Sequence, residues 1–169
     1  MEKIEITLNV NGRPHELMIY PNETLLDVLR DQLDMTGSKE SCGEGVCGSC
    51  TIHMDGKPVR SCLTLALEAR GAEIKTVEGL ADGDELSNLQ QSFIDHGAVQ
   101  CGFCTPGMLM TADALLAENP KPDEKTIRKA LAGNICRCTG YAKIVEAVAH
   151  ATQPQDHCCD CNPKEQKNV

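Results

Sequence analysis

The stretch Ser41–Cys50 reads S-C-G-E-G-V-C-G-S-C and sets three thiols, Cys42, Cys47 and Cys50, in the order C-x4-C-x2-C. A fourth, Cys62, follows after eleven intervening residues. This is the plant-type spacing for a [2Fe–2S] cluster, in which four thiolates hold two irons. Gly43, Gly45 and Gly48 suit that chemistry, because glycine lets the backbone wrap an inorganic core closely and take positive φ. The same loop can aim N–H groups at sulfur. A zinc knuckle or disulfide-bonded thiols are the competing explanations. Zinc sites favour paired short C-x2-4-C units, and a single run with a distant fourth cysteine is not of that kind.

A second set, Cys101, Cys104, Cys136 and Cys138, forms C-x2-C…C-x-C. On spacing alone zinc competes with an iron–sulfur cluster here. A neighbouring plant-type site favours the cluster, since two clusters in one small chain make a short electron wire. The remaining thiols lie in His157-Cys158-Cys159-Asp160-Cys161. Adjacent cysteines have difficulty pointing at one centre, so these are read as unremarkable tail thiols. His15, His53, His96 and His150 have no neighbours in sequence that suggest catalysis, and surface or packing roles suit them. Asp82-Gly83-Asp84-Glu85 reads as a solvated turn, because the other ligands of a calcium loop are missing. No phosphate-binding glycine loop, nucleophile elbow, or flavin or nicotinamide fold accompanies the cysteines. The chain is therefore expected to pass electrons between sites that other chains provide.

The 169 residues can hold one or two small domains. Aromatic residues make up only 2%, so the core is limited and bound metal is expected to contribute to stability. Eleven cysteines, an odd number, rule out complete internal pairing as disulfides. The N-terminal residues lack a signal-peptide pattern and no stretch approaches a membrane span. A cytoplasmic, reducing setting follows as the expectation, and there metal ligation explains thiols better than disulfides do. A net charge of −9 argues against nucleic acid as a partner.

The elements that must position these thiols follow from pattern. Lys3–Val10 alternates, with Ile4, Ile6 and Leu8 on one face, and reads as a half-buried strand. Asn11-Gly12 signals a two-residue hairpin to Arg13–Tyr20. Thr24 caps a helix, with Asp27 in capping-box position and Leu25, Leu26, Val28, Leu29 and Leu33 on its apolar side. Ser49–Met54 and Lys57–Leu63 flank a second hairpin signal, Asp55-Gly56. Glu73–Val77 is one more short strand. This first part is α+β, with a boundary expected at Gly79–Gly83. Beyond it, helices are expected at Ser87–His96, Pro106–Glu118, Glu124–Ala132 and Tyr141–Ala151, the second with Thr105 as N-cap. Each of the two later thiol pairs would end in a Cys-Thr step where a helix begins, and helix N-termini favour thiolates. Thr152–Val169 has the composition of a terminal segment without a core of its own.

Three stretches carry a family resemblance: Cys42-Gly-Glu-Gly-Val-Cys-Gly-Ser-Cys50, Gln100-Cys-Gly-Phe-Cys-Thr-Pro-Gly107 and Gly133-Asn-Ile-Cys-Arg-Cys-Thr-Gly-Tyr141. In these, and over roughly residues 3–150, the chain resembles the small two-cluster iron–sulfur subunit of the molybdenum hydroxylases, the xanthine dehydrogenase and aldehyde oxidase family. The resemblance implies a β-grasp, plant-type ferredoxin-like domain, here over 1–80, and a four-helix [2Fe–2S] domain, here over 81–151; the tail over 152–169 lies beyond it. It implies a molybdopterin-binding large subunit and an FAD-binding medium subunit as partners, with no nucleic acid and no membrane. The helical-domain cluster would lie nearer molybdenum and the plant-type cluster nearer the flavin. Gln100, through its amide, and Cys138, through its sulfur, would touch the pterin. The implied reaction is hydroxylation of an aldehyde or heteroaromatic carbon, or a reductive variant on a hydroxyaryl thioester. A free-standing two-cluster carrier and a structural zinc protein are the alternatives. The tail cysteines depart from the family pattern.

Overall fold

The computed structural model describes residues 1–152. Two hairpins and one short strand build a mixed sheet in the order β2-β1-β5-β3-β4. β1 (Ile4–Val10) and β2 (Arg13–Ile19) pair antiparallel, and their turn places Asn11 and Gly12 at φ 51° and 73°. β3 (Thr51–Met54) and β4 (Lys57–Arg60) repeat the device, with Asp55 and Gly56 at 51° and 76°. Both turns need positive φ at two successive residues, which Asn-Gly and Asp-Gly supply at least cost. β5 (Glu73–Lys75) runs parallel to β1 and antiparallel to β3, joining the hairpins into one sheet.

Thr24 and Asp27 close a reciprocal capping box at the start of α1 (Leu25–Asp27). The chain then widens into a π turn at Val28–Gln32, where the amide of Leu33 reaches the carbonyl of Val28. A plain α-helix was the expectation at this place. Leu25, Val28 and Leu29 pack with Ile6, Leu8, Val10, Ile52 and Ile74 into the core under the sheet. Burying a side chain of this size stabilises by about 1.5–3 kcal/mol relative to leaving it exposed.

The second core is helical. α2 (Asn88–Asp95), α3 (Thr105–Glu118), α4 (Glu124–Leu131) and α5 (Ala142–His150) bury Phe93, Met108, Met110, Ile127, Leu131, Ile144 and Val148 among themselves. Ser87 with Gln90 forms a capping box on α2, and the Asp123 side chain caps α4. Leu80, the last residue of the 3₁₀ turn Val77–Leu80, already belongs to this core. Asp82–Glu85 is a tight turn closed by reciprocal backbone hydrogen bonds of 3.0 Å.

Two helix starts differ from expectation. Cys104, not Thr105, occupies the N-cap of α3, so its backbone is the last non-regular residue before the helix and Pro106 still lies in the first turn. Tyr141, at φ 68°, precedes α5, which leaves Cys138-Thr139 a few residues short of the helix. The Thr139 hydroxyl fills that gap by accepting the Tyr141 amide at 3.2 Å.

The two cores meet along a polar seam. Arg60 donates to Gly133 O at 2.7 Å, and Asn134 Nδ2 donates to Gly48 O at 3.0 Å. Gly107 packs so close to the Gly48 carbonyl that any Cβ there would collide with backbone. Side chains larger than hydrogen at 48 and 107 would force the halves apart.

Candidate metal centres

The first thiol set is held by the loop between the π turn and β3. Gly43, Gly45 and Gly48 all take positive φ, 65°, 75° and 75°, as wrapping a compact centre requires. Cys50 is buried, whereas Cys42, Cys47 and Cys62 are partly exposed. Cys62 comes from the 3₁₀ turn Ser61–Leu63 that follows β4, so the β3–β4 hairpin returns it to Cys50. Their Sγ atoms are 3.3 Å apart. Cys42 interacts with the Cys47 thiol.

The second set is held by two turns that precede α3 and α5. Cys101 and Cys138 are exposed, with their sulfurs 3.6 Å apart. Cys104 is half-buried and lies against the Cys136 thiol, itself buried. The eight thiols thus fall into four pairs: 42 with 47, 50 with 62, 101 with 138, and 104 with 136. A tetrahedral metal with metal–sulfur bonds of about 2.3 Å separates its ligand sulfurs by roughly 3.7 Å, close to the 3.3 Å and 3.6 Å separations here. Among the described residues no three His, Cys, Asp or Glu side chains converge on a point suited to one ion.

The electrostatics divide the thiols. Amides of Cys47 and Glu44, together with the Cys47 thiol, hold Cys42 down to about 6. Burial, aided by the Cys50 thiol, pushes Cys62 up to about 11. Burial and the Cys136 thiol push Cys104 up to about 12. Burial also acts upward on Cys136, but hydrogen bonds from the Thr139 hydroxyl and the amides of Thr139 and Cys138 outweigh it and bring the thiol to about 7. The Cys101 thiol raises Cys138.

One backbone hydrogen bond ties the two sets together. Ile135 N–H, one residue before Cys136, donates to the carbonyl of Cys47 at 2.8 Å. Four residues that the sequence reading did not single out for the site make side-chain contacts around it: Asn134 and Tyr141 hold the turn beside Cys136, while Arg60 and His53 cross between the cores to Gly133 O and Met110 O. The signal available for Asn134 and Tyr141 was their position inside the Gly133–Tyr141 stretch, beside two thiols. Gln100, expected to touch the pterin through its amide, is exposed, and its side chain makes no hydrogen bond among the described residues. The His157–Cys161 group lies outside the described residues.

Comparison with known proteins agrees with this geometry. A family described as "2Fe-2S iron-sulfur cluster binding domain" matches residues 8–81, and one described as "[2Fe-2S] binding domain" matches 76–149. The nicotinate dehydrogenase small FeS subunit of Eubacterium barkeri is 50% identical over 153 residues, covering 90% of this chain and 98% of that one. The xanthine dehydrogenase iron–sulfur-binding subunit of Escherichia coli O157:H7 is 48% identical over 152 residues, covering 87% and 93%. The crystal structure of quinoline 2-oxidoreductase from Pseudomonas putida 86 superimposes with a TM-score of 0.88 at 50% identity, over 90% of this chain and 94% of the matched one. With two [2Fe–2S] domains in sequence and relatives of this identity along nearly their whole length, the chain belongs to the small iron–sulfur subunits of the molybdenum hydroxylase family, whose members include xanthine dehydrogenases and aldehyde oxidoreductases.

Proposed function

We propose that this chain relays electrons between a molybdopterin site on a large partner subunit and FAD on a medium one, through a plant-type cluster on Cys42, Cys47, Cys50 and Cys62 and a second cluster on Cys101, Cys104, Cys136 and Cys138. When bound, the clusters supply one-electron carriage. The chain's own residues fix their positions, their exposure and the path between them. The observation that carries the reading is the Ile135 N–H to Cys47 O hydrogen bond, which joins one thiol set to the other through main chain alone. The two-by-two grouping of the thiols suits a centre with two irons, each taking two cysteines, better than a single zinc ion.

The strand order and the parallel β1–β5 pair support a β-grasp over 1–80, and α2–α5 support a four-helix domain over 81–151. Apolar side chains beside each thiol set are open to solvent, Val46 and Leu63 at the first, Val99 and Phe103 at the second, as partner docking requires. The exposed Cys101–Cys138 end would face the pterin, with Gln100 and Cys138 as the contacts. The reading places the complex in the cytoplasm; no helix among the described residues is long and apolar enough to cross a membrane.

Anaerobic reconstitution of the full chain tests the cofactors. The expected result is about four irons and four sulfides per chain, with two distinguishable paramagnetic signals on reduction. Stoichiometric zinc in a colourless protein overturns it. Purification from the native source tests the assembly: a stable complex containing molybdenum is expected, and isolation as a lone carrier would refute the subunit role.

A further inference from the structure

We propose that the Tyr141 hydroxyl is the positioning group for electron exchange between the two clusters, because it closes the Asn134–Cys136 turn and so holds the Ile135 N–H on the Cys47 carbonyl. The inference rests on the relay reading above and assigns the control of its internal step.

The hydroxyl makes two hydrogen bonds within one short turn. It accepts the Cys136 N–H at 2.8 Å and donates to the Asn134 carbonyl at 3.0 Å. These two groups flank Ile135. A single oxygen therefore pins the atoms on either side of the residue whose N–H bridges the thiol sets at 2.8 Å. The Ile135 side chain is 54% exposed, so packing does not hold this residue in place. Asn134, only 2% exposed, anchors the start of the turn through Gly48 O, and its Oδ1 accepts the Thr111 hydroxyl at 2.8 Å.

Reaching the turn demands an unusual backbone. Tyr141 takes φ 68°, in the left-handed region that bulky residues avoid. Such a conformation persists only where the surroundings over-determine it. Here the Tyr141 amide is tied to the Thr139 hydroxyl, and the ring packs against the helical core, directing the phenol back to the turn. The same clamp occupies the Cys136 amide and keeps it from bonding to sulfur.

Without the hydroxyl, Asn134 O and Cys136 N–H lose their common partner and the middle of the turn gains freedom. The Ile135–Cys47 hydrogen bond then lengthens or opens part of the time. Outer-shell groups that orient ligands act on this scale, and their removal costs about 10–100-fold in affinity or activity.

The test is Y141F in the reconstituted full chain, beside wild type and Arg60→Ala. Arg60 also crosses the seam, to Gly133 O, but does not touch the 134–136 turn. Three quantities are read: iron content, hydrogen exchange of the peptide spanning 133–138, and the rate of electron equilibration between clusters after a rapid reducing pulse. For Y141F the expected results are unchanged iron, faster exchange in that peptide, and equilibration slowed about 10-fold or more. Arg60→Ala should leave equilibration near the wild-type rate. Wild-type equilibration in Y141F overturns the inference. So does loss of iron from the helical site, which would make the hydroxyl a brace for the cluster itself. Equal slowing in Arg60→Ala would also overturn it, since general loosening of the seam would then suffice. Wild-type protein lacking two iron pairs is a different result: it removes the relay reading beneath the inference.

Discussion

His53 on β3 donates its Nε2–H to the carbonyl of Met110 on α3 at 2.6 Å, from a side chain almost wholly out of solvent. A carbonyl can only accept, so the bond fixes the proton on Nε2. The other ring nitrogen faces Asp113 at 3.8 Å, and Lys75 reaches the same carboxylate at 3.3 Å. One imidazole thus clasps the sheet to the helical core.

His53→Ala should therefore weaken the fit of the two halves without touching either thiol set. A buried hydrogen-bonding group lost in this way costs about 1–3 kcal/mol. The expected result is a lower unfolding midpoint for the cluster-loaded chain with the same iron content. An unchanged midpoint would show that the clasp contributes nothing net.

The two thiol sets do not share residues, so their clusters should be separable. Cys47→Ser should abolish the plant-type signal while the helical one stays, and Cys104→Ser should do the reverse. Metal binding is coupled to folding, so each variant should also lose stability in its own half. Disappearance of both signals from a chain that remains folded would contradict independent sites. Replacing Cys158, Cys159 and Cys161 with Ser should leave iron content as it was.

The hairpins show what local chemistry reveals in a sequence. Asn11-Gly12 and Asp55-Gly56 announce two turns whose demand for positive φ is met within two residues. The capping box at Thr24 and the spacing of eight cysteines are equally local. The π turn was hidden, because apolar residues at 25, 26, 28, 29 and 33 suit a normal and a widened helix alike. The seam was hidden for another reason. Arg60, His53, Asn134 and Tyr141 all bond to main-chain oxygens, three of them across a gap of many residues, and any residue type can supply a carbonyl. Such contacts leave no pattern to read.

Thiol chemistry in the cluster-free chain should follow the local environments. Alkylation tracked residue by residue should label Cys42 with a midpoint near pH 6, whereas Cys62 should resist until the pH nears about 11. The signs for stability are opposite. The lowered Cys42 thiol supports the fold fully above the ordinary thiol range, and that support is lost as pH falls through about 6. The raised Cys62 thiol supports it fully below the ordinary range, and that support is lost as pH rises through about 11. Ligation must displace protons from Cys62 and Cys104, so iron loading should improve from about pH 7 to about pH 9. Loading independent of pH, or equal labelling of Cys42 and Cys62 at neutral pH, would contradict these assignments.

Gln100 provides the sharpest separation between a structural and an interfacial role. It adjoins Cys101, so its main chain is fixed by a thiol-bearing turn, and yet its side chain is exposed and has no hydrogen-bond partner among the described residues. A brace for the Cys101–Cys104 turn would have to bond to that turn, and this amide does not. An exposed side chain without partners contributes little to folding, and surface changes of this kind stay within about 0.5 kcal/mol. Gln100→Ala should accordingly leave both clusters and the unfolding midpoint of the full chain as they are. In the assembled complex it should loosen retention of the pterin cofactor, or slow the first electron transfer into this subunit, because a polar edge in the partner would lose a matched amide. Molybdenum content after gel filtration and the rate of cluster reduction by substrate measure the two effects. If the variant loses the helical cluster while the complex keeps its pterin, Gln100 serves its own turn, and the contact to the partner falls to Cys138.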